Sequence, residues 1–184
     1  MDTWWIDEPH LLGSGNPSVS ALEQLRREGF GVLVSLLDEM HESPRYAVGC
    51  ATALGFERHN IAVGDFQPPT VDQLEQFVTL IAGLPAGSKT VMHCKGGSGR
   101  TGTFAVAYWV AEGLPLHAAT QRVRKARPGA VETPEQEAVL EQFAAEREPW
   151  VDDAGRTGRQ LSRRSGGRCP APPRTSAGAP ASHE

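Results

Sequence analysis

Two periodicities alternate along the first 150 residues. Apolar positions three and four apart mark amphipathic helices, and short unbroken apolar runs between them mark strands buried on both faces. SALEQLRREG has Ser20 as N-cap, Glu23 three residues on to complete a capping box, and Gly29 as its stop. GVLVSLL, residues 31–37, follows as a β-branched strand. SPRYAVGCATALG offers Ser43 as cap, Pro44 at the first helical position and Gly55 as terminator, and FERHNIAV reads as a second strand. In TVDQLEQFVTLIAG, Val71, Leu74, Phe77, Val78 and Ile81 share a face behind a Thr70/Gln73 capping box. KTVMHC is the next strand and TGTFAVAYWVAEG an apolar, hence buried, helix. Two more helices are predicted, one around LHAATQRVRKA and one from TPEQEAVLEQF, where Thr133, Pro134 and Gln136 form another capping box. Alternating strands and helices predict one α/β domain: a mostly parallel central sheet of four to five strands, with helices on both faces. Ligands of such sheets bind at the carboxyl ends of the strands.

The pattern stops at residue 149. Residues 150–184 are rich in Gly, Pro, Arg and Ser and almost lack large apolar side chains, so a disordered tail is expected. Charge changes at the same point. Residues 1–150 hold 12 Lys+Arg and 19 Asp+Glu, a balance of −7, while 151–184 hold 6 and 3, a balance of +3. An acidic body argues against nucleic acid as a partner. The basic tail could contact an anionic partner, but a solvated end is the plainer reading. No apolar run approaches the roughly 18 residues that cross a bilayer, so membrane insertion is not expected. The N-terminus MDTWWIDEPH lacks the basic and apolar regions of a secretory signal, and a cytoplasmic location is expected. Cys50, Cys94 and Cys169 have unrelated spacings, and the six histidines fall at no ligand spacing, so neither a disulfide framework, a metal nor a cofactor is expected.

Chemistry concentrates in HCKGGSGRTG, residues 93–102, which leaves the end of a buried strand and enters a buried helix. Unpaired N–H groups at a helix start attract anions, and Gly96, Gly97 and Gly99 allow successive amides to curl into a concave nest around residues 95–99. Lys95, Gly96, Gly97, Ser98, Gly99 and Arg100 are therefore the candidate phosphate-binding set. Arg100, in the first helical turn, can hold two phosphoryl oxygens at once. Cys94 lies at the base of this ring, where positive partial charge favours thiolate over thiol. A thiolate beneath a clamped phosphoryl group is a positioned nucleophile. His93 points to the opposite strand face from Cys94, so it is expected to order the loop by hydrogen bonding.

Cysteine, five residues and arginine, with His before and Thr after, resembles the signature of the cysteine-dependent protein tyrosine phosphatase superfamily. LLGSGNP, GVLVSLL, DFQPP and RPGAVETPEQ resemble the corresponding parts of its small atypical dual-specificity (VH1-like) members, so the likeness extends over most of residues 4–147. It implies that Cys94 attacks phosphorus to form a cysteinyl-phosphate, that Arg100 stabilises the transferring group, and that Thr101 helps the thiolate leave. It also implies an acid on an upstream loop, and GDFQPP supplies Asp65 between a strand and a helix, with Asp38 and Asp72 as competitors. Gln136 either orients water or only caps its helix.

Classical tyrosine phosphatases line a deep pocket with a tyrosine-bearing loop, whereas here Tyr46 and Tyr108 are the only tyrosines, so the resemblance implies a shallow pocket and broad specificity, with phosphotyrosine preferred over phosphoserine and phosphothreonine. The expected partner is a phosphorylated protein or a small phosphomonoester. Lys95 matches one of two lysines that phosphoinositide phosphatases of the superfamily carry in this loop, but Ser98 occupies the second position; a phosphoinositide substrate stays open as an alternative. A phosphate-binding protein without turnover is the other. Trp4, Trp5, Trp109 and Cys50 read as packing residues, and RVRKARPG, residues 122–129, as a solvated helix end that could steer anions.

Overall fold

Five strands form one sheet in the order β1-β2-β5-β3-β4: β1 Thr3–Asp7, β2 Leu11–Ser14, β3 Val32–Leu37, β4 Glu57–Val63 and β5 Thr90–His93. Only the β1–β2 pair is antiparallel; β2, β5, β3 and β4 run parallel. The structure is a computed structural model that describes residues 2–147, 150–151 and 157–158. Helices α1 (Val19–Arg27) and α2 (Val48–Ala53) lie on one face, and α3 (Val71–Gly83), α4 (Gly99–Ala111), α5 (Leu116–Ala126) and α6 (Pro134–Arg147) on the other. A ribbon pairs β6 (Trp150–Val151) with β7 (Thr157–Gly158); otherwise the tail expected beyond residue 149 lies outside the described residues. Among the described residues no helix is long and apolar enough to cross a membrane.

The alternation of strand side chains divides the core in two. Leu33 of β3 faces α1 and α2 with Leu22, Leu25 and Phe30, whereas Val32, Val34 and Leu36 face Leu74, Phe77, Phe104 and Phe143. Each Leu or Phe fully buried this way contributes about 2 kcal/mol. The larger layer surrounds α4, in which all residues from Gly99 to Ala107 are buried. The helix that opens on the glycine loop is thus held rigidly.

Three local expectations shift. Helix α1 is capped by Ser18, whose Oγ accepts from Ala21 N, and Ser20 lies inside the helix; starting two residues earlier gains the bond from Leu22 N to Ser18 O. Helix α2 begins only at Val48, with Ala47 as its cap and no side-chain bond. Ser43–Tyr46 stay irregular because tertiary partners claim them: Asn16 bonds Ser43 O and Arg45 N, and Tyr46 is buried. At α6, Gln136 N–H donates to Thr133 Oγ1, but Gln136 Oε1 accepts from Glu132 N, so the box does not close on Thr133. The Thr70/Gln73 box forms as expected.

Candidate active site

Cys94 directly follows β5, in the middle of the parallel strands, and Arg100 is in the first turn of α4. Between them the chain turns its amides inward. Three donors hold loop carbonyls from outside: Asn16 N bonds Lys95 O at 3.0 Å, Arg127 Nη2 bonds Gly96 O at 3.3 Å, and the buried Trp4 Nε1 bonds Gly97 O at 2.9 Å. In a planar trans peptide the carbonyl and the following N–H point opposite ways, so pulling these carbonyls outward aims the amides of Gly96, Gly97 and Ser98 into the ring. Gly97 N–H duly donates to Cys94 Sγ at 3.2 Å. Gly97 itself must be glycine: its φ is +76°, and a methyl there would come within 2.5 Å of Gly15 N.

Reading Trp4 and the 122–129 segment as packing and solvated helix end therefore missed part of their work. Trp4 does pack, against Gly13, but its indole N–H also sets the loop. Arg127 spans Gly96 O and Asp2, and Arg124 bonds Ala130 O and Glu137. Replacing Trp4 by Phe keeps the ring and removes the donor. Phosphate binding to the loop is expected to weaken by up to about tenfold, the worth of one hydrogen bond. Unaltered binding in calorimetry would show that the indole N–H does not shape the cradle.

His93 lies beneath the loop and is fully buried. Arg58 Nε donates to Tyr46 Oη at 3.3 Å, and since a guanidinium accepts nothing, the phenolic proton goes to His93 Nε2, 2.9 Å away. The ring proton is then on Nδ1, 3.4 Å from Cys94 O. Burial pushes His93 down to about 3, so the imidazole is neutral. Its place is consistent with ordering the main chain at Cys94.

Arg100 is buried, and three of its five guanidinium N–H donors are engaged. Nη1 bonds Glu42 Oε2 and Val63 O, each at 2.8 Å, and Nη2 bonds Asp65 Oδ1 at 2.9 Å. Lys95 Nζ lies 3.0 Å from Asp65 Oδ2 and 3.5 Å from Glu42 Oε1, closing a ring of two cations and two carboxylates. Burial works against the Arg100 charge, but the bond it donates to Glu42 and the neighbouring anions outweigh it; the hydrogen bond to Asp65 likewise holds Lys95 above its ordinary value. Glu42 is the residue that sequence reasoning missed. It follows the carboxyl end of β3, on the side of the sheet where Asp65 follows β4, and that position was the available signal.

The cavity at this point measures about 220 Å³ and is lined by Asp65, Phe66, Cys94, Lys95, Gly96, Gly99, Arg100, Glu132 and Gln136. Asp65 is thus beside the sulfur and arginine. Asp38 instead pairs with the exposed His41, and Asp72 occupies the first turn of α3, where a carboxylate suits the helix dipole; neither lines the cavity. Thr101 Oγ1 is buried with no hydrogen-bond partner among the described residues, and no hydrogen bond joins it to Cys94 Sγ. Ser98 Oγ turns away to Gly129 O, leaving its amide as its contribution to the loop. Gln136 Nε2 reaches Gln67 O at 3.5 Å, tying the Asp65 loop to α6. In that loop Phe66 is exposed and has φ of +59°, an uncommon backbone state for a bulky residue. A larger groove of about 390 Å³ between β4 and α3 has His59 and Glu57 on its wall but neither cysteine nor cation.

Comparison with known proteins places this geometry. The family described as "Polymorphic toxin system, DSP-PTPase phosphatase" matches residues 11–114. The phosphatidylglycerophosphate phosphatase PTPMT2 of Arabidopsis thaliana is 28% identical over 79% of this chain and 65% of its own length. The tyrosine-protein phosphatase cdcA of Emericella nidulans is 29% identical over 74% of this chain and 23% of its own. The chain therefore spans less than two thirds of these relatives. Among solved structures, the active form of Tk-PTP superposes with a TM-score of 0.72 at 33% identity, covering 78% of this chain and 96% of that one. PTPMT1 in complex with PI(5)P superposes at 0.70 with 21% identity, a likeness of fold.

Proposed function

The chain belongs to the DSP-PTPase phosphatase family, as a small atypical dual-specificity phosphatase of the protein tyrosine phosphatase superfamily, and from that premise we propose that it hydrolyses phosphomonoesters through a cysteinyl-phosphate intermediate. The observation that carries this reading is the Gly97 N–H on Cys94 Sγ inside a loop whose carbonyls are held outward. Such a ring stabilises a thiolate and an equatorial phosphoryl group alike. A substrate dianion takes the guanidinium from Glu42 and Asp65. The sulfur attacks phosphorus as the bond to the leaving oxygen breaks, and protonated Asp65 gives that oxygen its proton. Water then attacks the phosphocysteine, Asp65 takes the water proton, and inorganic phosphate leaves with the thiolate restored. The Thr101 hydroxyl, with no hydrogen-bond partner among the described residues, is available to donate to the departing sulfur.

Substrates on this reading are phosphoproteins, with phosphotyrosine ahead of phosphoserine and phosphothreonine, because the cavity is small and its exposed Phe66 offers an apolar rim. The relative named as a phosphatidylglycerophosphate phosphatase favours a lipid substrate as the second reading. Asp65→Ala tests the acid role. Its kcat is expected to fall by about a hundredfold for alkyl and unactivated aryl phosphates, and far less for p-nitrophenyl phosphate, whose leaving group needs little protonation. Equal losses across leaving groups would assign the proton to another residue.

A further inference from the structure

Asp65 and Glu132 line the cavity with Lys95 and Arg100, and Glu42, outside the lining, pairs with both cations, so carboxylates outnumber cations around the site three to two. Lys95 and Arg100 are already matched by Asp65 and Glu42. Glu132 also lines the cavity, and among the described residues its carboxylate has no ion-pair or hydrogen-bond partner. It lies against the first residue of α4, so close that a methyl on Gly99 would collide with Glu132 Oε2. The place is fixed by the backbone. Glu132 N–H donates to Gln136 Oε1 at 2.9 Å, Val131 before it holds a φ of +62°, and Ala130 is seated where a side chain at Gly102 would be.

The balance worsens during the reaction. With Asp65 protonated and Cys94 ionised, the anions are Cys94, Glu42 and Glu132 against Lys95 and Arg100. A phosphomonoester then adds a charge of about −1.5 to −2. Further anionic groups on the substrate raise the cost, whereas a cation close to the phosphorus offsets it. The surrounding body, at −7 over residues 1–150, carries the same preference outward as a field that attracts cationic segments.

Building on the phosphatase reading above, we propose that this enzyme selects phosphoprotein segments carrying Lys or Arg beside the phosphorylated residue, and that Glu132 is the group that reads the positive charge. The Glu132 carboxylate pairs with the ammonium or guanidinium of the neighbouring residue while the phosphoryl group occupies the loop. Polyanionic substrates, inositol phosphates and phosphatidylglycerophosphate among them, meet Glu132 as a repulsive wall.

The test uses the full chain and three phosphotyrosine peptides identical except for Lys, Gln or Glu on either side of the phosphotyrosine, with p-nitrophenyl phosphate and a short-chain phosphatidylglycerophosphate beside them. Glu132 is exposed, so an ion pair there is worth about a threefold change per charge, and Lys and Glu differ by two charges. The wild-type kcat/KM is expected to be about tenfold higher for the Lys peptide than for the Glu peptide, and the preference should shrink at 0.5 M salt. In Glu132→Gln the ratio should fall to about twofold, and in Glu132→Lys it should invert, which a merely structural role would not produce. Equal turnover of Lys and Glu peptides, an unchanged ratio in Glu132→Gln, or faster turnover of the lipid than of the Lys peptide overturns the inference and leaves the phosphatase reading standing. No phosphate released from any compound, p-nitrophenyl phosphate included, overturns both.

Discussion

Cys94→Ser protein is expected to release no inorganic phosphate from p-nitrophenyl phosphate above the level of the uncatalysed reaction, a loss of at least about ten-thousandfold. The sulfur is buried at the end of β5 and accepts the Gly97 amide at 3.2 Å, so on the proposed reading a soft nucleophile sits at the base of the phosphate loop. A serine hydroxyl at the same point has the same amide but no base to deprotonate it: on the proposed reading Asp65 enters this step protonated, and the neutral His93 ring turns Nε2 towards Tyr46, not towards position 94. The hydroxyl therefore stays protonated and fails to attack. The loop carbonyls keep their outside donors, so the variant should still bind phosphate or vanadate. A binding protein without turnover would give the contrasting result, in which wild-type and Cys94→Ser proteins hold phosphate and neither hydrolyses the ester. Residual hydrolysis by Cys94→Ser at the wild-type rate would remove the nucleophile assignment.

Arg100→Lys carries the second large effect. The guanidinium uses one nitrogen for Glu42 and Val63 O and another for Asp65, a spread that a single ammonium cannot reproduce. Transferred to a phosphoryl group, the same fork would hold two equatorial oxygens through the transition state. Its loss is expected to lower kcat by about a hundred- to a thousandfold, with a smaller rise in KM, because the interaction strengthens as charge builds on those oxygens. A stability effect has to be separated from this. Removing the charge altogether, as in Arg100→Met, leaves Glu42, whose side chain is 15% exposed, with Lys95 as its remaining cation, at a cost below the roughly 3–5 kcal/mol of a wholly unpaired buried charge. The double variant Arg100→Met with Glu42→Gln should regain most of the lost thermal stability and none of the activity. Activity that returned along with stability would show Arg100 to be an architectural residue rather than a catalytic one.

The sequence made legible whatever is written locally. The helices after Thr70 and Gly99, the strand ending at His93 and the glycine turn each declare themselves within about fifteen residues, and each is where it was expected. The Cys94–Arg100 spacing is also local, and Asp65 was reached through the family resemblance, which implies an acid on an upstream loop; the structure lines the cavity with it. What stayed hidden is held together by long loops of chain. Glu42 meets Arg100 across 58 residues and Trp4 meets Gly97 across 93, and no periodicity announces either partner. The β1–β2 pair escaped for a related reason: five alternating residues and a Gly-Ser ending make weak strands alone, and they are stabilised by the β5 edge that β2 joins. The Ser43-Pro44 helix start failed in the opposite way. A good local cap was overruled by Asn16 and by the burial of Tyr46.

The three outside grips on the loop come from Trp4, Asn16 and Arg127, positions near opposite ends of the domain. No early, locally folded fragment contains both the sulfur and the groups that aim the amides at it. Chemical competence should consequently arrive with the last long-range closures of the fold and vanish when the N-terminal strand peels from the sheet, while much helix remains intact. Turnover would then serve as a sensitive gauge of docking at that sheet edge, failing under milder denaturant than the helical signal of the same molecules.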